Sequence, residues 1–343
     1  MSTSLQAEVN PIALPNTMGL PCVASAVTVF RDRAQLAQLQ DSFDRHGMPL
    51  VLAGASNVIL PERMDRPVVL MRNTGMEVLE PRADAWLIDV AAGHNWHQWV
   101  CESLARGWPG LENLALIPGS VGAAPIQNIG AYGLELAQRV AGVEIWDFET
   151  GQSRWLQTPD CRFGYRDSVF KQAAGGHWLV LNVRFALPKD WQPVLGYPDL
   201  APLRQRWQTR AASVSAQMVF DHVVAVRQAK LPDPTVEPNV GSFFKNPVVS
   251  SELYERLKQT HPHLVAYRQI DGQFKLAAGW LIDQCGFKGK RFGAVAVHDR
   301  QALVLVNTGG ARMADVLRAA NAIAQAVADR FGVHLQMEPV CVS

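Results

Sequence analysis

The sequence predicts a mixed α/β or α+β chain of two or three domains, on three observations. Short apolar runs alternate with amphipathic stretches along its length. Hydrophobic residues make up 48% and charged residues 18%, enough for a large core and far from a disordered composition. The 343 residues exceed one domain at about 150 residues each.

Taken in order, Asp32 to His46 reads as the first helix: Leu36, Leu39 and Phe43 share a face, Asp32 can cap and Gly47 can terminate. Leu50 to Ala53 reads as a buried strand running into the turn Gly54-Ala55-Ser56-Asn57. Trp86 to Ala91 is another strand. Asn95 to Arg106 reads as a helix with Trp96, Trp99, Val100, Ser103 and Leu104 on one side and Gly107 after it. Between Val140 and Leu187, the β-rich stretches Val143–Trp146 and Trp178–Leu187 are separated by turn residues such as Thr150-Gly151. Nine of the ten tryptophans fall between Trp86 and Trp207, which reads as a packed middle core rather than a row of ligand-stacking rings. Ser213 to Ala229 reads as a helix that ends before Leu231-Pro232-Asp233-Pro234, whose prolines cannot continue it. Lys230 to Pro238 is therefore the best domain boundary. Beyond it come a helix around Lys275 to Cys285, a strand at Ala302 to Val306 and a long helix from Arg312 to Phe331. On that helix Met313, Val316, Leu317, Ala320, Ile323 and Val327 repeat at helical spacing.

Lys+Arg is 32 and Asp+Glu 31, a net +1 with no block of like charge, which argues against a nucleic-acid or anionic-membrane partner. No apolar run approaches the roughly 18–20 residues needed to span a bilayer. Met1 to Val9 has no basic region followed by an apolar stretch and does not read as a signal peptide. The five cysteines (Cys22, Cys101, Cys161, Cys285, Cys341) never form Cys-x-x-Cys and read as buried reduced thiols of a cytoplasmic protein. P-loop and Gly-x-Gly-x-x-Gly motifs are missing, so an ordinary Rossmann site is not supported. His94 and His97 flank Trp96 without further ligands at metal spacing, and no metal is expected.

Two small-residue segments stand out. One is Ala53 to Asn57 after the buried strand; the other runs from Ile117 to Gly133 as Ile-Pro-Gly-Ser-Val-Gly-Ala-Ala-Pro-Ile-Gln-Asn-Ile-Gly-Ala-Tyr-Gly. Small residues permit close backbone approach, and successive N–H groups can form an anion nest that holds a pyrophosphate without a basic side chain. Ordinary tight turns are the alternative for either segment alone.

The longer segment closely resembles the flavin-binding loop of bacterial UDP-N-acetylenolpyruvoylglucosamine reductases. The resemblance continues through Cys161-Arg162-Phe163-Gly164-Tyr165-Arg166-Asp167-Ser168, Lys230-Leu231-Pro232-Asp233-Pro234 and Gly241-Ser242-Phe243-Phe244-Lys245-Asn246-Pro247. It extends to Lys275 through Gln284 and to Met337-Glu338-Pro339, so it covers nearly the whole chain in the family's order. It implies an FAD enzyme of peptidoglycan precursor synthesis (a UDP-N-acetylmuramate dehydrogenase) that reduces the enolpyruvyl ether of UDP-N-acetylglucosamine with NADPH. The implied cofactor contacts, with FAD held non-covalently, are Gly54, Ala55, Ser56 and Asn57 in the first segment. In the second they are Pro118, Gly119, Ser120, Gly122, Ala123, Ile126, Gln127, Asn128, Gly130, Ala131 and Tyr132. One departure stands in the first segment: the family reads Gly-x-Gly-Ser-Asn where this chain has Ala53 and Ala55. Alanine is harmless at φ < 0 and costs about 1 kcal/mol or more at φ > 0.

The implied reaction passes a hydride from flavin N5 to an alkene carbon, develops an enolate, and protonates the other carbon. By the resemblance Ser242 is the proton donor, and Arg166 with Glu338 stabilises the enolate. A guanidinium fork suits a carboxylate on which charge accumulates. Glu338 can help only if protonated or if it orients a donor, because a bare carboxylate repels an enolate. Tyr197, Lys230, Asn246, Gln301 and Tyr165 match positions that hold the UDP-sugar, Tyr197 on a loop characteristic of the family's longer subtype. Lys230 suits a diphosphate as a point charge. Without a Rossmann motif, NADPH is expected to use the substrate's cleft and leave first, giving ping-pong kinetics.

The resemblance also implies a two-part FAD-binding region of the vanillyl-alcohol-oxidase/PCMH type and a C-terminal α+β substrate domain. The expected divisions are 1–80, joined by a C-terminal strand in 332–343, then 81–228, then the substrate domain 229–331, in a monomer. A flavin-dependent oxidase on the same framework and a non-enzymatic nucleotide-binding protein are the competing readings.

Overall fold

The computed structural model describes residues 11–209 and 213–342; the reading of Met1 to Val9 lies outside them. The chain divides into two compact units, one of Met1–Ile12, Ala24–Gly54 and Met64–Ala229, the other of Ala13–Val23, Ala55–Arg63 and Lys230–Ser343.

The first unit contains a parallel sheet and a larger antiparallel one. Val27–Phe30, Val68–Met71 and Leu50–Leu52 pair in parallel with Val68–Met71 in the middle. All four central residues are buried, as a strand covered on both faces requires. Helix α1, Leu36–His46, follows a 3-10 turn at Arg33–Gln35. Asp32 caps that turn by accepting the Ala34 amide at 2.8 Å, so the α-helix proper starts later than the spacing predicts. Leu36 and Leu39 enter one core with Phe30, Val69 and Met71, and Gly47 ends the helix at φ +75°.

Five strands form the antiparallel sheet in the order Gln152–Gln157, Val140–Asp147, Trp178–Pro188, Ala85–Ala91, Met76–Val78. Ile88, Val90, Val143, Val183 and Phe185 lie in the core with Trp96, Trp99 and Val100 of helix α2, Trp96–Ala105. Burying each such side chain contributes about 1.5–3 kcal/mol. Of the tryptophans, Trp96 and Trp99 are buried in this core and Trp86, Trp108, Trp146, Trp178 and Trp191 pack against it half-buried, whereas Trp207 on helix α3, Ala201–Gln208, is 42% exposed. Arg33 forks onto buried Glu144 at 2.8 and 2.6 Å, and Asn182 donates to the same carboxylate at 2.6 Å. Helix α4, Ala216–Lys230, stops before the two prolines that end it.

In the second unit Asn239–Ser242, Val304–Asn307, Val295–Val297 and Arg291–Phe292 form an antiparallel sheet in that order. Helix α5, Ser251–Thr260, is capped by Ser250, and helix α6, Ala278–Gln284, is shorter than the sequence suggests. Helix α7, Met313–Phe331, buries Val316, Ala319, Ala320, Ile323 and Val327, while Met313 and Leu317 are half-buried. Val340–Cys341 pairs in parallel with Val58–Ile59.

Among the described residues no helix is long and apolar enough to cross a membrane. No group of three or more His, Cys, Asp or Glu side chains there could hold a metal. All five cysteines are free thiols. Cys22 and Cys161 are buried, and burial first, with Asp160 second, pushes Cys161 up to about 12. Cys101 is exposed, which corrects the expectation of buried thiols: it lies on the solvent side of α2.

Candidate active site

The first turn of α2 holds the head of the long small-residue segment. Trp96 Nε1 donates to the Leu114 carbonyl at 2.9 Å, the Trp96 amide donates to Gly119 at 3.1 Å, and the Val121 amide donates to His94 at 2.9 Å. Gly122 packs so tightly that a Cβ would lie 2.4 Å from Ala92 Cβ. A Cβ on Gly54 would lie 3.6 Å from Gly119 Cα, so the two small-residue segments touch at their backbones. Segments with so few side chains let a flat, phosphate-bearing cofactor approach the backbone, and the residues fit FAD. The amides of Val121, Gly122, Ala123, Ala124, Ile126, Asn128 and Ile129 donate to protein carbonyls. The segment is therefore no continuous anion nest: these N–H groups are already spent on the protein's own carbonyls.

The segment's second half is braced by the turn that carries Arg166. Asn128 is buried at φ +44°, and its side chain donates to Glu135 Oε2 and the Gly164 carbonyl, each at 3.0 Å, and accepts from Ala137 at 2.9 Å. These bonds assign its side chain to the scaffold. Ser168 Oγ donates to the Ile126 carbonyl at 2.6 Å. Gly164 and Asp167 close a tight turn that displays Tyr165 and Arg166. Arg166 sits at φ +53°, donates to the Gly130 carbonyl at 3.0 Å, and lies 5.6 Å from the Tyr165 ring centre. Ala131 pairs with Leu134 in the hairpin that follows.

Tyr132, also left-handed at φ +48°, meets the Tyr197 ring edge-on at 5.2 Å. Asn113 donates to the carbonyls of Tyr132 and Val194, fastening the Tyr197 loop to the same place. Burial raises the Tyr132 phenol, against a hydrogen bond and attraction from Arg227. Arg227 on α4 is itself half-buried, and burial lowers its pKa against the pull of Tyr132. Sequence reasoning passed over Arg227: a lone arginine in an amphipathic helix carries no signal that it points inward.

In the second unit the Phe243 carbonyl accepts the Glu338 amide at 2.9 Å, and the Lys245 amide donates to Gln336 at 2.9 Å. Phe244 and Met337 form the bridge between these segments. This sets Glu338 opposite Phe243, the residue that follows Ser242 in the chain. Asn57 adds a bond from its side chain to the Glu338 carbonyl at 3.4 Å and accepts the Val340 amide at 3.0 Å. Asn246 Oδ1 accepts the Ala278 amide at 2.9 Å at the start of α6, and a Cβ on Gly279 would lie 3.3 Å from Gln301 Oε1, so both side chains gather at that helix start. Buried His298 accepts the Gln301 amide at 3.2 Å and orients that turn, another residue the sequence did not flag. Lys230 is the last residue of α4. Ala55 takes φ +46°, whereas Ala53 does not enter the left-handed region. The second of the two alanines thus stands where the backbone favours glycine.

A family model described as FAD binding domain matches residues 24–157. With the mixed architecture, it defines a flavoprotein oxidoreductase class and bears out the expected FAD-binding region. A second model, for the C-terminal domain of UDP-N-acetylenolpyruvoylglucosamine reductase, matches residues 233–342. A reductase of that name from Bordetella pertussis is 50% identical over 95% of this chain and 92% of its own length. One from Paraburkholderia phymatum is 51% identical over 97% and 96%. The crystal structure of the Thermus caldophilus reductase shares the fold at a TM-score of 0.66 and 21% identity, covering 97% of this chain and 99% of that one. The chain belongs to the UDP-N-acetylenolpyruvoylglucosamine reductase family, whose members are FAD-dependent oxidoreductases.

Proposed function

We propose that this chain binds FAD non-covalently and, as a cytoplasmic monomer of the Tyr-loop subtype, reduces the enolpyruvyl ether of UDP-N-acetylglucosamine to UDP-N-acetylmuramate at the expense of NADPH. The observation that carries the reading is the hydrogen-bonded pairing that sets Glu338 beside the strand ending in Ser242. When bound, FAD supplies the hydride chemistry that no side chain can. Gly54, Ala55, Ser56 and Asn57 hold it together with Pro118, Gly119, Ser120, Gly122, Ala123, Ile126 and Gln127, and with the backbone of Asn128, Gly130, Ala131 and Tyr132.

Arg166 grips the substrate carboxylate, and its grip strengthens as that group becomes an enolate. Its strained φ of +53° is the kind of backbone cost that a site tolerates to aim one side chain. Ser242 delivers the proton to the enolate carbon, and Glu338 donates, or orients a donor, toward the same charge. Lys230 neutralises the diphosphate, while Tyr197 and Tyr165 cover the substrate. Asn246 and Gln301, gathered at the start of α6, present amide groups to the sugar nucleotide.

The test is an anaerobic visible spectrum of the purified protein, before and after NADPH and then after UDP-N-acetylglucosamine enolpyruvate. A flavin band that bleaches with NADPH and returns with the substrate is expected. Recovery only on admitting air would favour the oxidase, and a colourless protein that takes up no FAD would end the reading.

A further inference from the structure

Leu116, one residue ahead of the long small-residue segment, is held in the left-handed region at φ +57°. For a leucine that conformation is costly and persists only where neighbours over-determine it. Two side chains do so. Its amide donates to His97 Nδ1 at 3.1 Å, and its carbonyl accepts Arg227 Nη2 at 3.3 Å. His97 is fixed in turn by stacking on Phe220 of α4, with ring centres 5.8 Å apart and planes 5° apart.

Because Nδ1 accepts a hydrogen bond, the ring is neutral with its proton on Nε2. That nitrogen lies 3.8 Å from the Cys101 sulfur and donates toward it. The tautomer leaves no lone pair at Nε2 for a metal, so this His–Cys pair one turn apart is not a chelating site. The groups facing His97 are Cys101 on its own helix, Phe220 and Arg227 on α4, and the Leu116 backbone. Arg227 carries the charge among them, and its own neighbour is Tyr132.

We propose that His97 is a positioning residue for the cofactor: its neutral ring pins Leu116 in the conformation from which residues 117–133 depart, and a proton on Nδ1 releases the pin. This rests on the reading of residues 118–132 as part of the FAD site. On protonation Nδ1 gains a hydrogen, the Leu116 N–H loses its acceptor, and two donors face each other. Burial first, and the Arg227 charge second, lower the His97 pKa from the ordinary imidazole value. With the folded pKa depressed, the pin is complete above about pH 6.5 and is lost as pH falls through the lower, folded value.

The experiment compares the wild type with His97→Asn, whose side-chain oxygen can take the place of Nδ1 without titrating, and with His97→Leu, which cannot accept. FAD dissociation constants are measured from pH 8 to pH 5 by flavin fluorescence. Hydrogen exchange of the 114–118 peptide is measured at pH 7.5 on the full chain with and without FAD. His97→Leu is expected to weaken FAD about tenfold at every pH, the scale of one lost hydrogen bond. His97→Asn is expected to stay within about threefold of wild type at pH 8 and to lose the wild type's weakening on acidification. Leu116 exchange is expected to be slow in wild type and His97→Asn and fast in His97→Leu. Equal Leu116 exchange in wild type and His97→Leu overturns the pin, and identical pH profiles for wild type and His97→Asn overturn its titration. The cofactor reading is tested separately in the wild type: FAD that binds without protecting residues 117–133 defeats that reading, and with it the proposed effect on the cofactor, whatever Leu116 does.

Discussion

The Glu338 amide donates to the Phe243 carbonyl at 2.9 Å, directly after Ser242 in the chain. This bond fixes a carboxyl-bearing residue near the C-terminal end of the chain against the strand that ends in a serine hydroxyl. A serine is a poor acid in water, so its neighbours set what it can do.

Ser242→Ala is expected to leave flavin reduction by NADPH nearly intact and to slow substrate reduction by about 10²–10⁴-fold, the range for loss of a general acid. Stopped-flow measurement of the two half-reactions separates these effects. Equal loss in both would assign Ser242 to binding or folding instead.

Ala55 occupies the left-handed region at φ +46° and Ala53 does not. Ala55→Gly is therefore expected to raise unfolding free energy by up to about 1 kcal/mol, while Ala53→Gly brings no gain. Urea titrations of the two variants decide it. A benefit at position 53 but none at 55 would contradict the backbone assignment.

Gly122→Ala would place a methyl 2.4 Å from Ala92 Cβ and 2.9 Å from its Cα. Overpacking of this kind costs about 1–3 kcal/mol and should loosen FAD. Adding Ala92→Gly removes the closer clash and should restore part of the loss, read as urea midpoint and flavin retention. No recovery in the double variant would place the strain elsewhere.

Burial raises the Glu144 pKa, but the hydrogen bonds from Arg33 and Asn182 outweigh it, so the carboxyl ends below its ordinary value. A depressed folded pKa gives stability that is present above about pH 4.3 and lost as pH falls through the folded value. Glu144→Gln should flatten that part of the acid limb of a stability-against-pH curve. An unchanged limb would show that other carboxylates govern it.

Much of the scaffold was legible in the sequence because local rules dictate it. The α7 stripe, the Gly47 stop and the prolines after α4 each act over a few residues. The small-residue segments were legible as sites of close approach, and Gly54 against Gly119 is such a contact. What sequence reading missed depends on pairings between distant residues. Asn128 belongs to the segment that the resemblance assigns to the cofactor, and no local pattern shows that its side chain braces Gly164 and Glu135. His97 reads from the sequence as a histidine without further metal ligands, and its bond to the Leu116 amide exists only once the chain folds back to it. Arg227 on α4 and His298 just after the strand Val295–Val297 take positions that no local pattern reveals.

The parallel pairing of Val340–Cys341 with Val58–Ile59 has a consequence for synthesis. A ribosome that has finished residues 64–229 has made every remaining segment of the first unit, yet the second lacks its partner for residues 58 and 59 until the last strand emerges. Closing a loop of that span is slow. Until Val340 and Cys341 have been made, Val58 and Ile59 therefore lack the strand they pair with in the fold, and an unpaired edge of this kind is open to wrong pairing.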